Sequence, residues 1–217
     1  MLVGRYEKMK DRLIIIGARA FGRETCNYAH EAGFEVVGFL DDKADALDGF
    51  VGYPPILCSA ESYEVKPEDR FVCAVGDSKW REKYVGIIAA KGGVFVNVIH
   101  PTAYVGPNVK MGVGCIICPQ AILDCDLTLG NHVDVNAQSY IPHDSLLEDF
   151  VTISPGCHLG GRAILRRDVF LGIHSTLIPD IEIGAYTVVA AGATVTKHLP
   201  AHVLAAGIPA EVKAIWS

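Results

Sequence analysis

Pro142-His143-Asp144 sets an imidazole directly beside a carboxylate, the pairing required for general-base chemistry. The carboxylate orients the ring and stabilises the imidazolium formed once the ring has taken a proton. Eighteen residues further on stands Gly161, a residue with no side chain to cover its amide. If the two positions stack, that amide is open to a developing oxyanion. The same dipeptide also suits a solvated corner, so its meaning depends on the elements that hold it.

Those elements follow from a six-residue pattern running from Ile99 to Pro200 in seventeen consecutive hexads. Their first positions run from Ile99, Val105 and Met111 to Ile183, Val189 and Val195, and every one is aliphatic or Met. The fifth positions are mostly small or β-branched, as at Ala103, Cys115, Ala121, Ser139, Cys157 and Thr187, with Leu127 and Leu199 among the exceptions. A helix turns through about 100° per residue and cannot keep a period of six on one face. Short strands joined by corners can. Three hexads close a triangular coil of eighteen residues, and coils stack at about 4.8 Å. The sequence therefore predicts a left-handed parallel β-helix (hexapeptide repeat) of about five to six coils, with first and fifth positions inward and third and fourth positions outward near corners. Second-position glycines, at Gly106, Gly112, Gly130, Gly160, Gly172 and Gly184, are expected at corners that need permissive backbone angles.

His143 and Gly161 fall at third positions one coil apart, since 143 plus 18 is 161. His132, His158, His174, His198 and His202 are the candidate zinc ligands, but none pairs within one segment, and no metal is expected. Cys115 and Cys118 form a lone C-x2-C; Cys115 falls at an inward position and no second pair follows at finger spacing, so packing is the expected role.

The 217 residues leave room for a smaller unit ahead of the solenoid, and the expected division is 1–97 and 98–217. Arg12 to Ile16 reads as a buried strand, and Gly17-Ala18-Arg19-Ala20-Phe21-Gly22 opens a helix running to about Ala32. Glu35 to Leu40 reads as a second strand ending in Asp41-Asp42-Lys43, at the edge where open α/β sheets place ligands. Phe71 to Val75 reads as a third strand, Ser78 as the cap of a helix from Lys79 to Lys91, and Val94 to Val98 as a last strand. The result is a Rossmann-like α/β domain of about four parallel strands. Arg19 replaces the second glycine of G-x-G-x-x-G, which argues against a redox dinucleotide and leaves an anion at the helix N-terminus.

A net charge of −6 with no basic run gives no nucleic-acid footprint. No apolar stretch is long enough to span a bilayer, and residues 1–10 lack the apolar core of a signal peptide. With seven cysteines, an odd number, a reducing cytoplasmic location is expected.

Ile14-Ile15-Ile16-Gly17-Ala18, Val37-Gly38-Phe39-Leu40-Asp41-Asp42, Ala74-Val75-Gly76-Asp77, Ile99-His100-Pro101-Thr102-Ala103, His143-Asp144 and Gly207-Ile208-Pro209-Ala210 together resemble the bacterial sialic-acid O-acetyltransferase family. That group of hexapeptide-repeat acyltransferases includes acetyl-CoA-dependent N-acetyltransferases of nucleotide-linked amino sugars. The resemblance implies a homotrimer with acetyl-CoA as co-substrate, bound between neighbouring subunits, and a nucleotide-linked amino sugar held by the N-terminal domain. It implies His143 as general base, Asp144 as its polarising carboxylate and Gly161 as an amide facing the thioester carbonyl. Ile173, Ala191, Gly207 and Pro209 would line the acetyl-CoA groove, and Gly17, Arg19, Asp41, Asp42 and Lys43 would surround the nucleotide. Relatives in this group often carry a second histidine nine residues after the base, where this chain has Thr152. O-acetylation of a sugar, sialic acid or serine hydroxyl, and a non-enzymatic nucleotide-sugar-binding trimer, are the alternatives the sequence leaves open; a helical N-terminal domain, usual in serine acetyltransferases, is opposed by the strand-glycine-helix start.

Overall fold

The computed structural model describes residues 12–216, so the expectation about residues 1–10 lies outside the described residues. The chain opens with β1 (Arg12–Ile16), whose four apolar residues are fully buried. Around it lies a five-stranded parallel sheet in the order β3-β2-β1-β4-β5, with β2 at Glu35–Leu40, β3 at Ile56–Cys58, β4 at Asp69–Cys73 and β5 at Val94–Phe95. The sequence pointed to about four strands; β3, only three residues long and preceded by Pro54-Pro55, offers too short a pattern to stand out. β4 starts earlier than Phe71 because Asp69, a residue that reads as a loop, is buried. It accepts hydrogen bonds from the Tyr63 hydroxyl and the Lys66 amide and pairs with Arg12. The expected last strand divides: β5 closes the sheet, and Val98–Ile99 already pairs with Ile116–Ile117 of the solenoid.

Two helices accompany the sheet. α1 (Ala20–Glu31) follows the glycine turn, and α2 (Ser78–Ala90) is capped by Asp77 rather than Ser78, with the Asp77 carboxylate accepting the Trp80 N–H at 3.1 Å.

From Val98 onward the chain is a left-handed parallel β-helix. Two-residue strands stack on those eighteen residues away, as in Ile122 on Tyr104 and on Tyr140, and Asp134 on Ile116 and on Thr152. From Ile117 to Val195 every first position is buried, and from Cys115 to Leu199 every fifth position is too. The lowest coil is looser, and Val105 is 39% exposed. The last coil is two residues short: Leu199 stacks on Ile183 and Ala205 on Val189, sixteen residues apart, so the hexad register ends at Val195. Strand Val203–Ala206 then pairs antiparallel with Glu211–Ile215.

The second-position glycines serve a different purpose from the one expected. The left-handed corner angle sits at the fourth position, from Asn108 through Asp144 (φ 58°) to Tyr186, while the second-position glycines have ordinary φ. Their hydrogens face the next coil's backbone: a Cβ on Gly106 would lie 2.1 Å from the Asp124 carbonyl oxygen, and one on Gly160 2.2 Å from the Pro179 nitrogen. Coil spacing, not backbone permissiveness, selects glycine there.

The outward side of one prism face, at Val98, Ile116, Asp134 and Thr152, is buried beneath the first domain. Cys118 shares an apolar cluster there with Cys26 and Ala29 of α1, while Cys115 lies inside the prism. Among the described residues, no group of three or more His, Cys, Asp or Glu side chains could hold a metal ion.

Candidate active site

Two places carry chemistry. The first is the corner that holds His143. The backbone turns through a left-handed Asp144, which brings the carboxylate back on its neighbour, and Asp144 Oδ2 lies 2.8 Å from His143 Nδ1. With Nδ1–H donating to that oxygen, Nε2 carries the free lone pair. The imidazole, 46% exposed, lies over Gly161: a Cβ built there would be 2.7 Å from both Cε1 and Nε2. The stacking expected from the eighteen-residue spacing is therefore present. Gly161 is buried, and among the described residues its N–H donates to no backbone or side-chain acceptor. Beside it, Arg162 is bonded through Nε and Nη2 to Asp180.

His143 and Gly161 stand where the Tyr104, Ile122, Tyr140, Thr176 and Thr194 face ends; Ile173 and Ala191 stand at the opposite edge of that face, one coil apart. Ile173 is 50% exposed. The Gly207 to Ala210 segment closes the top of the same face, with Thr194 N–H donating to the Gly207 carbonyl and Ala210 N–H to the Thr194 carbonyl. All the residues expected around acetyl-CoA thus border one prism face.

Thr152 does not belong to this corner. Nine residues are one and a half hexads, which carries the chain onto the face covered by α2. There Thr152 is buried, and its hydroxyl accepts from Arg81 Nη2 at 2.9 Å.

The second place is a cavity of about 620 Å³ at the C-terminal ends of β1, β2 and β4, where the strand order reverses between β1 and β4. Gly17, Arg19, Asp41, Asp42 and Lys43 all line it. Gly17 has φ +96° and a Cβ there would meet the Ala74 carbonyl oxygen at 3.0 Å, so the turn demands glycine. Asp41 holds this turn: its two oxygens accept the Ala18 and Lys43 amides, each at 2.9 Å. Arg19 sits at the N-cap of α1 without a capping side chain, leaving a cation beside free helix amides.

Sequence reasoning missed the far wall, which α2 supplies. Trp80 and Tyr84 stack with ring centroids 6.0 Å apart, and the Tyr84 hydroxyl donates to Asp42 Oδ2. Burial and that carboxylate both push the Tyr84 phenol up. Two aromatics four residues apart, on a helix that begins just past a strand's C-terminal end, were the available signal.

Comparison with known proteins agrees with this anatomy. Residues 12–88 match the family model of the PglD N-terminal domain. The chain is 26% identical over 168 residues to GDP-perosamine N-acetyltransferase of Escherichia coli O157:H7, covering 73% of this chain and 74% of that one. It superposes with a TM-score of 0.88 and 28% identity on the acetyltransferase domain of PglB from Neisseria gonorrhoeae FA1090 in complex with acetyl coenzyme A, covering 94% of this chain and 100% of that one. A variant of perosamine N-acetyltransferase from Caulobacter crescentus, in complex with CoA and GDP-perosamine, gives 0.86 at 28% identity, over 93% of this chain and 96% of that one. With the same two-part fold and identity maintained along nearly its whole length, the chain is an acyltransferase similar to the hexapeptide-repeat acetyltransferases of the PglD and perosamine N-acetyltransferase type.

Proposed function

We propose that the chain transfers the acetyl group of acetyl-CoA to the amine of a nucleotide-linked amino sugar, with His143 as general base. The observation that carries this reading is the His143 ring, polarised by Asp144 and lying on a bare Gly161, in a chain that also holds a preformed cavity with a stacking wall and a helix N-terminus. The relatives crystallised with acetyl coenzyme A, or with CoA and GDP-perosamine, add the two substrate classes.

In this mechanism the cavity holds the nucleotide: Trp80 and Tyr84 offer faces for a base, while Arg19 and the α1 amides suit a pyrophosphate. The sugar amine attacks the thioester carbonyl as His143 Nε2 takes its proton. Negative charge develops on the carbonyl oxygen, which the unpartnered Gly161 N–H suits. The tetrahedral intermediate collapses, the C–S bond breaks and CoA leaves as the thiol, protonated by the imidazolium. Alignment of the two substrates supplies much of the acceleration and the base about 10²–10⁴-fold. Ile173, Ala191, Gly207 and Pro209 are proposed to bound the acetyl-CoA groove.

The division at 97/98 is proposed as the boundary between the nucleotide-sugar and acyl-transfer parts. Homotrimerisation is proposed on the same face, where Tyr104 is 54% and Ile122 40% exposed; apolar faces pair side to side, and closed symmetry avoids fibres. No helix among the described residues is long and apolar enough to cross a membrane. The net charge of −6 fits an enzyme that takes no nucleic acid.

The test is a panel of UDP-, GDP- and CMP-linked amino sugars with acetyl-CoA, following free thiol. Thiol release with an amino sugar and none with its hydroxyl counterpart supports N-acetylation. Reaction with hydroxyl acceptors alone overturns it.

A further inference from the structure

Arg81 is a helix residue with no exposed surface, and nothing in the chemistry above uses it. Its backbone belongs to α2 of the first domain, yet all its side-chain partners are on the solenoid. Nη1 pairs with the Asp134 carboxylate, and Nη2 donates to the Phe150 carbonyl at 2.7 Å and to the Thr152 hydroxyl at 2.9 Å. Asp134 is itself buried. One residue along, Glu82 pairs with Arg167, again across the junction.

Two facts make this more than a fastening. First, α2 and its cap are the wall of the nucleotide cavity: Asp77, Trp80 and Tyr84 line it, while Arg81 points away onto the outer face of the prism. Second, the coils it grips are those of the reaction corner. Phe150 and Thr152 lie on the coil of His143, and Arg167 lies on the coil of Gly161, directly above. A stack of two-residue strands with a continuous aliphatic interior is stiff, so whatever is fixed to these coils keeps a constant offset from the His143 ring.

We propose that Arg81 is a positioning residue for acetyl transfer: by tying α2 to the coil of His143, it sets the distance between the bound nucleotide and the prism that delivers the acetyl group. This rests on the function proposed above. An apolar contact holds two domains together with some freedom to slide, whereas a planar guanidinium bonded to three fixed acceptors defines one arrangement. Bimolecular transfer between two sites needs that definition, because a shift of about 1 Å in the approach of the reacting atoms costs about a hundredfold in rate.

Arg81→Ala alone would leave the Asp134 carboxylate buried and unpaired, so loss of folding would answer nothing. Arg81→Met combined with Asp134→Leu removes both charges and keeps the volume filled. Single-turnover acetyl transfer, with enzyme in excess over a nucleotide-linked amino sugar that the wild type accepts, separates the two roles. A structural defect lowers the calorimetric stoichiometry of acetyl-CoA binding and spares the rate constant at saturating enzyme; a positioning defect lowers that rate constant and spares the stoichiometry. The expected result is a saturating rate constant about ten- to a hundredfold lower at full binding stoichiometry, with unchanged dissociation of acetyl-CoA. Thr152→Val, which removes one bond and no charge, is expected to give a smaller fall of about two- to fivefold and serves if the double variant does not fold. A folded variant with the wild-type rate constant, or one whose binding stoichiometry alone falls, overturns the proposal. A wild type that acetylates no nucleotide-linked amino sugar overturns the proposed function, and the role of Arg81 with it; a reactive wild type with unaffected variants overturns the role of Arg81 alone.

Discussion

Gly160 and Gly161 are neighbours, and replacing each by alanine is expected to damage the enzyme in opposite ways. A Cβ on Gly161 would lie 2.7 Å from Cε1 and Nε2 of His143, with no backbone atom among its three nearest neighbours. The φ of Gly161 is not in the left-handed region, so alanine itself is unstrained. Relief comes from moving the ring, which is the half-exposed end of a flexible side chain. Restoring ordinary carbon contact at about 3.7 Å displaces it by about 1 Å. That shift carries Nδ1 away from Asp144, from 2.8 Å toward the limit of a hydrogen bond. Misplacement of this size predicts a kcat about ten- to a hundredfold lower, with Tm within about 2 °C of wild type. Gly160 has no such outlet. Its Cβ would meet Pro179 N at 2.2 Å and Ile178 C at 2.5 Å, which are backbone atoms of the next coil. Opening that spacing costs roughly 1–3 kcal/mol, or about 3–10 °C in Tm, with a far smaller loss of kcat in the molecules that remain folded. Thermal melts and steady-state kinetics on both variants decide the matter. Wild-type kcat in Gly161→Ala, or equal destabilisation by both substitutions, would refute the placement of the reaction at this corner.

His143→Ala is expected to lower kcat by about 10²–10⁴-fold while calorimetric acetyl-CoA affinity stays near wild type. Trp80→Ala is expected to raise KM for the nucleotide sugar about five- to a hundredfold, from the loss of one stacked base, and to leave KM for acetyl-CoA unchanged. His132, stacked on Phe150 and edge-on to Phe95, has its imidazole pushed down to about 4, first by burial and then by Arg81. Its folded value lies below the unfolded one, so its contribution is fully present above pH 6.5 and is lost as pH falls toward 4. At pH 5 the loss is about 2 kcal/mol, so melts at pH 7 and pH 5 should show a Tm drop in wild type about 4–8 °C larger than in His132→Phe. An equal drop in both would count against the buried neutral imidazole.

The solenoid was legible because its geometry repeats: each coil imposes the same inward positions, and seventeen hexads report one rule many times. The stacking of Gly161 on His143 followed from the same arithmetic. The first domain yielded its glycine turn and its acidic strand end, since Gly17, Asp41 and Asp42 lie close together in sequence at the strand ends. What stayed hidden depends on contacts between distant segments. Trp80 and Tyr84 reach the cavity only because β4 lies beside β1, and Thr152 reads as a replaced histidine until α2 is seen to cover it. Arg81, a charge on a short helix, reads as solvated surface; nothing local distinguishes it from Lys79 or Lys83. The second-position glycines were recognised, but for the wrong reason, because a sequence shows the residue and not the carbonyl of the coil above it.

The prism also explains why the proposed base, His143, stands where it does. First and fifth positions are committed to the interior, and second positions are pressed between coils by backbone contacts near 2–3 Å from any Cβ where they are glycine. Fourth positions carry the left-handed angle, which costs most residues and suits Asp144. Sixth positions point off the flat faces, and on the face beneath the first domain they are buried. The third position is left: outward, at a corner, with the residue one coil above close enough to shape its surroundings. An imidazole there gains a carboxylate from the next residue in sequence and an unpartnered amide from the next coil, two features from two different neighbours. Moving the base by one position would forfeit at least one of them, so a histidine grafted at position 142 or 144 in a His143→Ala background should not restore turnover.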